Sequence, residues 1–132
     1  MKILLVDASE MIRTIQKKIL AELGVVGDGA GEKGPVEFFE AVDGAQALQL
    51  LAVQTQRFDL ILIEWNLPNM DTLLMKLRET DKTTPVIMCT ADGEKSRVLE
   101  AVKAGASNYV VKPFTPETLL EKVRATLAKC AA

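Results

Sequence analysis

Residues 59–71 read DLILIEWNLPNMD, and the apolar run at 60–63 ends on an acidic residue, Glu64. Three other apolar runs end on a polar residue in the same way: 3–6 before Asp7, 86–89 before Thr90 and 109–111 before Lys112. If these runs are neighbouring parallel strands, the four side chains meet at the edge of the sheet where open α/β folds place their sites. The sequence therefore predicts a polar site at that edge.

The composition is that of one soluble globular domain. The 132 residues are 48% hydrophobic and 26% charged, enough chain to bury roughly two-thirds of its unfolded surface in one core. The formal charge is −2 and the 16 Lys and Arg residues are scattered, so we expect no nucleic acid and no membrane partner. Asp7 interrupts the N-terminal apolar run too early for a signal peptide. We expect a cytoplasmic protein with protein partners.

The number and positions of the cysteines and the lack of histidine exclude several kinds of functional site. Cys89 lies inside an apolar run and Cys130 near the C-terminus, so there is neither a CxxC motif nor a disulfide framework. The chain contains no histidine, which excludes His-based metal sites, catalytic triads and a phosphohistidine of its own. A phosphoryl group carried on histidine would have to come from another protein.

Short apolar runs alternate with stretches of helical period, which predicts an α/β fold with five strands in a parallel sheet and five helices. The first, third and fourth runs are apolar throughout, as expected of strands covered on both faces. The predicted strands are 2–6, 36–40, 59–63, 85–89 and 108–111.

The helices are predicted from capping residues and apolar stripes. The first, at about 9–23, begins with Ser9 as N-cap and is expected to bury Met11, Ile15 and Ile19, whereas the last begins at Thr115 and Pro116. The remaining helices and inward residues are predicted as follows: a second after Asp43 and Gly44, with Ala47, Leu48 and Leu51; a third at about 72–79; a fourth at about 93–104, with Val98, Ala101 and Val102.

A glycine-rich segment at about 24–35 holds five of the eight glycines and little apolar surface, so we predict a mobile loop there. Residues 29–34 formally spell GxGxxG, but a dinucleotide fingerprint follows a strand and opens a helix. This one follows a helix and leads into a strand. We interpret it as a loop rather than a phosphate cradle.

Several motifs together resemble response-regulator receiver domains, the family of the single-domain chemotaxis regulator. They occur in the family's order and spacing over almost the whole chain: KILLVDAS, EAVDGAQAL, DLILIEWNLPNMD, PVIMCTA and AGASNYVVKPFTPETL. The resemblance implies one CheY-like receiver domain over 1–132, with the glycine-rich loop as an insertion. Its fold would be a flavodoxin-like, three-layer doubly wound sandwich with strand order 2-1-3-4-5. Its function would be two-component phosphorelay signalling without enzymatic turnover of its own.

The resemblance also implies a chemistry for the site. Receivers are similar to self-phosphorylating devices in which acidic residues hold Mg²⁺ while an aspartate takes phosphoryl from a partner's histidine. The matching positions are Asp7 and Ala8 for the two acids after the first strand, Glu64 for the acceptor, Asn66 for the carbonyl ligand, Thr90 for the hydroxyl and Lys112 for the lysine. Two of the six are altered.

Both alterations weaken the expected chemistry. Ala8 removes an oxygen ligand, and Asp7, Glu64 and Lys112 leave a formal pocket charge of −1 where the family pattern gives −2. We therefore expect Mg²⁺ binding to be weak or lost and no other cofactor to be bound. Glu64 carries its carboxylate about one ångström further into the space for phosphate, and a displacement of that size can greatly slow in-line attack.

Several interpretations of Glu64 remain open. Its carboxylate could reach Lys112 and Thr90 and imitate an aspartyl phosphate, or it could form an inert ion pair with Lys112. A third interpretation is a slow but working phosphoacceptor at Glu64 or Asp7. Alternatives of another class are an FMN-binding flavodoxin-like protein, for which ASEMIR is a poor phosphate loop, and a phosphatase with an aspartate nucleophile, against which Ala8 counts.

The output residues of the family are intact. Thr90 and Tyr109 match the hydroxyl and aromatic pair that reshapes the face made by the fourth helix, fifth strand and fifth helix. Lys112 and Pro113 match the family's cis peptide. The resemblance thus implies a sensor histidine kinase or a downstream effector as partner, through that face.

Three further expectations concern the surroundings of the site. Trp65 is predicted to be a partly exposed aromatic beside the pocket. The connection before the third helix is shorter than usual by a couple of residues and lacks the family's glycine, the residue best suited to positive φ. Asp59 lies at the opposite end of its strand from Glu64, so it is not a substitute acceptor.

Overall fold

The protein is described here by a computed structural model that covers residues 1–24, 36–53, 57–91 and 95–131. Strands and helices alternate along it: β1 Lys2–Val6, α1 Glu10–Leu20, a 3₁₀ turn Ala21–Gly24, β2 Glu37–Ala41, α2 Gly44–Val53, β3 Leu60–Glu64, α3 Met70–Thr80, β4 Val86–Thr90, α4 Lys95–Ala104, β5 Asn108–Val111 and α5 Pro116–Ala131. The predicted glycine-rich loop lies, beyond Gly24, outside the described residues.

The five strands form one parallel sheet in the order β2-β1-β3-β4-β5, so the predicted doubly wound fold and strand order are confirmed. The predicted bounds of β1 and β5 are correct, and those of β2, β3 and β4 differ by one residue. Val6, Ile63 and Met88 lie side by side on β1, β3 and β4. This register aligns the carboxyl ends of the three central strands.

Side chains alternate across the central strands and divide the core into two layers. Leu4, Ile61 and Met88 belong to the cluster that α2, α3 and α4 cover, whereas Ile3 and Leu62 belong to the cluster that α1 and α5 cover. Each fully buried Leu or Ile contributes roughly 1.5–3 kcal/mol of transfer free energy. Burial on both faces explains why these runs are apolar throughout.

Helix α1 buries only part of the predicted face: Ile19 is buried as predicted, but Met11 and Ile15 are not. Met11 is 72% and Ile15 40% exposed, while Arg13 and Gln16 are buried together with Ile19. The physical reason is that the Arg13 guanidinium bonds the backbone carbonyl of Asp7 and a carboxylate on β2. These contacts turn the face that carries Arg13 towards the sheet and leave Met11 and Ile15 exposed. The N-cap is as predicted, since Ser9 Oγ accepts a hydrogen bond from the amide of Ile12 at 3.3 Å.

Helices α3 and α4 also depart from the sequence interpretation. Helix α3 begins at Met70, two residues earlier than predicted, and Asn69 before it takes the left-handed conformation with φ of 63°. Asparagine tolerates this conformation better than most other residues with a side chain. On α4, Ala101 is buried as predicted, but Val102 is exposed. The face of α4 that packs against the sheet is therefore narrower than the sequence pattern indicates.

The remaining local predictions hold. Thr115 Oγ1 accepts from the amide of Thr118 at 3.1 Å and caps α5, whose Leu119, Leu120 and Val123 are buried. Asp59 lies at the amino end of β3, where its Oδ2 accepts from the amide of Lys2 at 2.7 Å. Within the described segments, no helix is long and apolar enough to cross a membrane.

Gly105 joins α4 to β5 in a conformation that favours glycine. Its φ is +118°, and a Cβ built there would lie 2.8 Å from Cγ of Arg78. Arg78 lies against it because its Nε donates to the carbonyl of Gly105 at 3.0 Å and its guanidinium also bonds the carbonyl of Asp81 at 3.1 Å. Because Gly105 has no side chain, Arg78 of α3 can approach the turn before β5 and form a hydrogen bond to it.

We expect Gly105→Ala to lower the free energy of unfolding by about 2 kcal/mol or more, because both the backbone conformation and the space exclude a Cβ. Urea denaturation checks this through the midpoint and slope. Gly44→Ala is the matched control: Gly44 does not have a positive φ, and its Cβ would meet the terminal methyl of Met70 at 3.0 Å and the carbonyl oxygen of Pro68 at 3.9 Å, an ordinary contact distance. Equal losses in both variants would contradict the explanation.

Candidate functional site

The backbone ladder fixes the polar side chains at the carboxyl edge of the sheet. It continues past three strands: the amide of Asp7 donates to Ala41 O at 3.0 Å, that of Trp65 to Cys89 O at 3.1 Å and that of Lys112 to Thr90 O at 2.7 Å. Residues just beyond these strands are therefore also fixed by backbone hydrogen bonds to the neighbouring strand. The predicted gathering of Asp7, Glu64, Thr90 and Lys112 at one edge follows from this pairing.

The Lys112 ammonium lies between two carboxylates. Its Nζ donates to Oδ2 of Asp7 at 2.8 Å and to Oε1 of Glu64 at 2.7 Å. The side chains of Lys112 and Glu64 are each 14% exposed and that of Asp7 5%, so the three charges are largely withdrawn from water. We call this arrangement the ion triad.

The other carboxylate oxygens of the ion triad also have donors. The amide of Ser9 donates to Asp7 Oδ1 at 2.9 Å, and the amide of Asn66 donates to Glu64 Oε2 at 3.0 Å. Each of the four oxygens thus accepts at least one hydrogen bond from the protein. Such saturation stabilises the charged carboxylates and fixes their orientation.

Thr90 is connected to the ion triad through Asn66. The side-chain amide of Asn66 donates to Thr90 Oγ1 at 3.2 Å, while its backbone amide holds Glu64. In the described part of the chain, Glu64 is thus connected to Thr90 through Asn66. The imitation hypothesis anticipated a direct contact between Glu64 and Thr90. The side chain of Asn66 was missed by the sequence reasoning, which considered only its carbonyl.

A network of charged side chains on α1 and β2 contacts the backbone of Asp7. Arg13 bonds the carbonyl of Asp7 and donates through Nε to Glu40 Oε1 at 2.9 Å, and Lys17 Nζ donates to Glu40 Oε2 at 3.0 Å. The hydrogen bond from Arg13, with help from Lys17, lowers the pKa of Glu40 below its ordinary value. The sequence reasoning missed this network, although basic residues four apart on α1 and an acid near the end of β2 were a signal for it.

Burial and hydrogen bonding act in opposite directions on Lys112. Burial alone would lower the pKa of its ammonium, but the hydrogen bonds to Asp7 and Glu64 prevail and raise that pKa above its ordinary value. Cys89 precedes Thr90 on β4 and is fully buried, and burial raises the pKa of its thiol to about 12. The cation of the triad therefore stays charged, and the nearby thiol stays neutral.

The donor set does not fit the Mg²⁺ ion that the family resemblance implies. A hard cation needs several oxygen ligands, but Ala8 supplies none in its side chain, and Lys112 lies against both remaining carboxylates. Within the part of the chain that the structure describes, no group of three or more Cys, Asp or Glu residues is placed to hold a metal. The Lys112 ammonium already contacts one oxygen of each of these two carboxylates.

Of the predicted output residues, Thr90 lies at the carboxyl edge of the sheet, whereas Tyr109 pairs with Met88, two residues further from that edge. Tyr109 is on β5 and partly buried against the core cluster that α2, α3 and α4 cover. Lys122 Nζ of α5 lies 4.7 Å from the centre of its ring, a distance typical of a cation–π contact. The peptide between Lys112 and Pro113 is cis.

Trp65 is buried, with 4% exposed, so the expectation of partial exposure is wrong: its amide pairs with β4, and this directs the ring into the core.

A family profile described as "Response regulator receiver domain" matches residues 3–124. The chain belongs to this family. It is 39% identical over 131 residues to the chemotaxis protein CheY1 of Helicobacter pylori, covering 96% of this chain and 97% of the relative. It is 38% identical over 127 residues to the chemotaxis protein CheY of Pseudomonas aeruginosa, covering 93% of each chain.

The receiver fold is also found by structural comparison. The chemotaxis response regulator CheY4 of Vibrio cholerae superposes with a TM-score of 0.78 at 31% identity, covering 95% of this chain and 97% of that chain. This chain is thus a receiver module of two-component signalling, a class of domain that interacts with kinases and effectors. The family assignment decides against the alternatives of an FMN-binding flavodoxin-like protein and an aspartate phosphatase.

Removing the cation of the triad should be costly for this receiver. We expect Lys112→Met to lower the free energy of unfolding at pH 7 by about 3 kcal/mol or more, because it leaves two buried carboxylates facing each other. Adding Glu64→Gln to this variant should restore part of the loss, since one of the two charges is then gone. Urea denaturation of the three proteins measures both effects, and an unchanged midpoint in Lys112→Met would contradict the triad.

The pH dependence of this difference follows from the pKa shift. Because the folded-state pKa of Lys112 is raised, the wild-type advantage over Lys112→Met is complete below the ordinary lysine value of 10.5. It declines as the pH rises through the higher folded-state pKa. Midpoints measured from neutral to strongly alkaline pH should therefore converge only at the alkaline end.

Proposed function

We propose that this receiver signals by protein contact in a conformation that the ion triad holds, rather than through a regulated phosphorylation cycle. The observation that carries the proposal is the position of Lys112 Nζ, 2.8 Å from Asp7 and 2.7 Å from Glu64. We further propose that it is not an enzyme, requires no cofactor and works in the cytoplasm.

Phosphotransfer to Glu64 is disfavoured by the same contacts. An acceptor oxygen must be free for in-line attack while cations neutralise the arriving phosphoryl group. Here both oxygens of Glu64 accept hydrogen bonds, from Lys112 and from the amide of Asn66. Lys112 is already neutralised by Asp7 and Glu64, and Ala8 contributes no ligand.

Glu64 instead supplies a permanent negative charge to the groups around it. Its carboxylate holds the lysine of the cradle and the amide of Asn66, and the Asn66 side chain extends the network to Thr90. A covalently attached carboxylate keeps these contacts without any donor. This supports the imitation of an aspartyl phosphate over an inert ion pair, because the network reaches an output residue.

The face made by α4, β5 and α5 is the proposed contact surface. Three apolar side chains stand exposed on α4 and β5: Leu99, Val102 and Val111. They lie on the elements that also carry Tyr109, so the surface and the switch residue are continuous. The relatives named above are chemotaxis proteins, and we propose a sensor kinase or an effector of such a pathway as partner.

A small phosphodonor tests the altered acceptor. After incubation with acetyl phosphate and millimolar Mg²⁺, we expect the intact mass of the wild type to show no added phosphoryl group. The double variant Ala8→Asp with Glu64→Asp restores a ligand and retracts the acceptor, so it should gain one group. It should also bind Mg²⁺ with beryllofluoride, followed through the fluorescence of the buried Trp65.

The two single variants separate the causes, because Ala8→Asp restores the ligand alone and Glu64→Asp the acceptor alone. A gain of one phosphoryl group by the wild type, mapped by peptide mass to Glu64 or Asp7, would overturn the proposal in favour of a working phosphoacceptor. Quenching of Trp65 by millimolar Mg²⁺ in the wild type would contradict the loss of the metal site.

Replacing the carboxylate tests whether it acts on the output face. We expect Glu64→Ala to shift the amide NMR signals of Thr90, Val102 and Tyr109, because the network through Asn66 is lost, whereas Glu64→Gln keeps the shape and should shift them less. Glu37→Ala, on the far edge strand β2, is the surface control. Shifts confined to the neighbours of residue 64 would instead establish the inert ion pair.

A further inference from the structure

The two halves of helix α1 bury different kinds of side chain. In its C-terminal half the buried residues are Ile19 and Leu20, whereas in its N-terminal half they are Arg13 and Gln16. We call residues 9–16, from the N-cap onward, the α1 N-segment. Segments with few buried apolar side chains open locally at a lower free energy than the rest of a domain. The α1 N-segment is therefore held mainly by polar contacts.

Two of these polar contacts are made to Asp7, a member of the ion triad. The amide of Ser9, the N-cap of α1, donates to Asp7 Oδ1 at 2.9 Å, and the Arg13 guanidinium bonds the backbone carbonyl of Asp7. The carboxylate and the backbone of one residue are thus both bound to the α1 N-segment. A displacement of this segment would remove two of the contacts that orient Asp7.

A third polar contact connects the α1 N-segment to β4. Gln16 is 2% exposed, and its Nε2 donates to Sγ of Cys89 at 3.9 Å. Cys89 directly precedes Thr90, and its buried thiol is neutral and a weak acceptor. Within the residues that the structure describes, no donor reaches Oε1 of Gln16, although that atom is buried. The amide of Gln16 is thus poorly satisfied at both of its ends.

The buried amide of Gln16 lowers the free energy needed to separate the α1 N-segment from the sheet. A buried polar atom without a partner carries a desolvation cost that contact with water removes. The helix would expose little more apolar surface of its own, because Met11 and Ile15 are exposed already. Hydration of the Gln16 carbonyl therefore offsets part of the cost of opening.

We propose that the α1 N-segment opens locally from the sheet and acts as a conformational switch at the site. In the closed state it holds an acid of the ion triad, Asp7, and the residue before Thr90, Cys89. In the open state both contacts are released together, while the apolar C-terminal half of α1 stays packed. The proposal does not depend on whether the receiver accepts a phosphoryl group.

Native-state hydrogen exchange of the wild type measures this opening, and α5 provides a matched control. The amide of Arg13 donates to Ser9 O at 3.1 Å, and the amide of Leu119 occupies the same position in α5, donating to Thr115 O at 3.1 Å. Helix α5 has a similar cap but buries Leu119 itself. After correction for intrinsic rates, we expect Arg13 to exchange at least about tenfold faster than Leu119, with a weaker dependence on urea.

Thiol labelling measures the same opening at β4. The chain has two cysteines, so a Cys130→Ser background leaves Cys89 as the reacting thiol. We expect iodoacetamide to label Cys89 faster than global unfolding allows. Gln16→Leu replaces the poorly satisfied amide with an apolar side chain and should slow labelling by about tenfold. Gln49→Leu, at an exposed position of α2, should leave the labelling rate unchanged.

Three results would each overturn the switch. The first is labelling of Cys89 at no more than the rate of global unfolding, measured by urea denaturation of the same protein. The second is equal exchange of the Arg13 and Leu119 amides, which would show that α1 and α5 open alike. The third is labelling of Gln16→Leu as fast as that of its parent or faster, because the buried amide would then not favour opening.

Discussion

The ammonium of Lys112, held between Asp7 and Glu64, is the interaction on which the site depends. Two largely buried carboxylates at one sheet edge repel each other and need a cation within hydrogen-bond reach. In this receiver an amino acid side chain meets that need. Because the three groups come from β1, β3 and β5, the triad also ties the carboxyl ends of non-adjacent strands together.

The position of the site could be predicted from the sequence because the strands are simple. Runs of four or five apolar residues, buried on both faces, fix where each central strand ends, and parallel pairing then aligns Asp7, Glu64, Thr90 and Lys112. Arg13 shows the limit of this reasoning. Its polar contacts with β2 and with the backbone of Asp7 decide the rotation of α1, and hydrophobic periodicity does not contain that information.

The sequence pattern also did not predict the local backbone geometry at two positions beside the site. Trp65 follows a strand and was expected at the surface, but one more ladder hydrogen bond carries it into the core. Asn69 takes the left-handed conformation directly before α3 begins. In both cases a single backbone contact, which only the folded chain defines, overrides the average preference of the residue type.

A permanent carboxylate changes how such a receiver can be regulated. A phosphoryl group shifts a conformational equilibrium because it can be added and removed, whereas Glu64 contributes the same free energy at all times. If the receiver signals by protein contact as proposed, its regulation arises from a partner that binds one conformation better than another. Residues of α3 and α4 and Trp65 pack in the same layer of the core, so a partner on the proposed α4–β5–α5 face would contact an element that packs directly against the surroundings of the site.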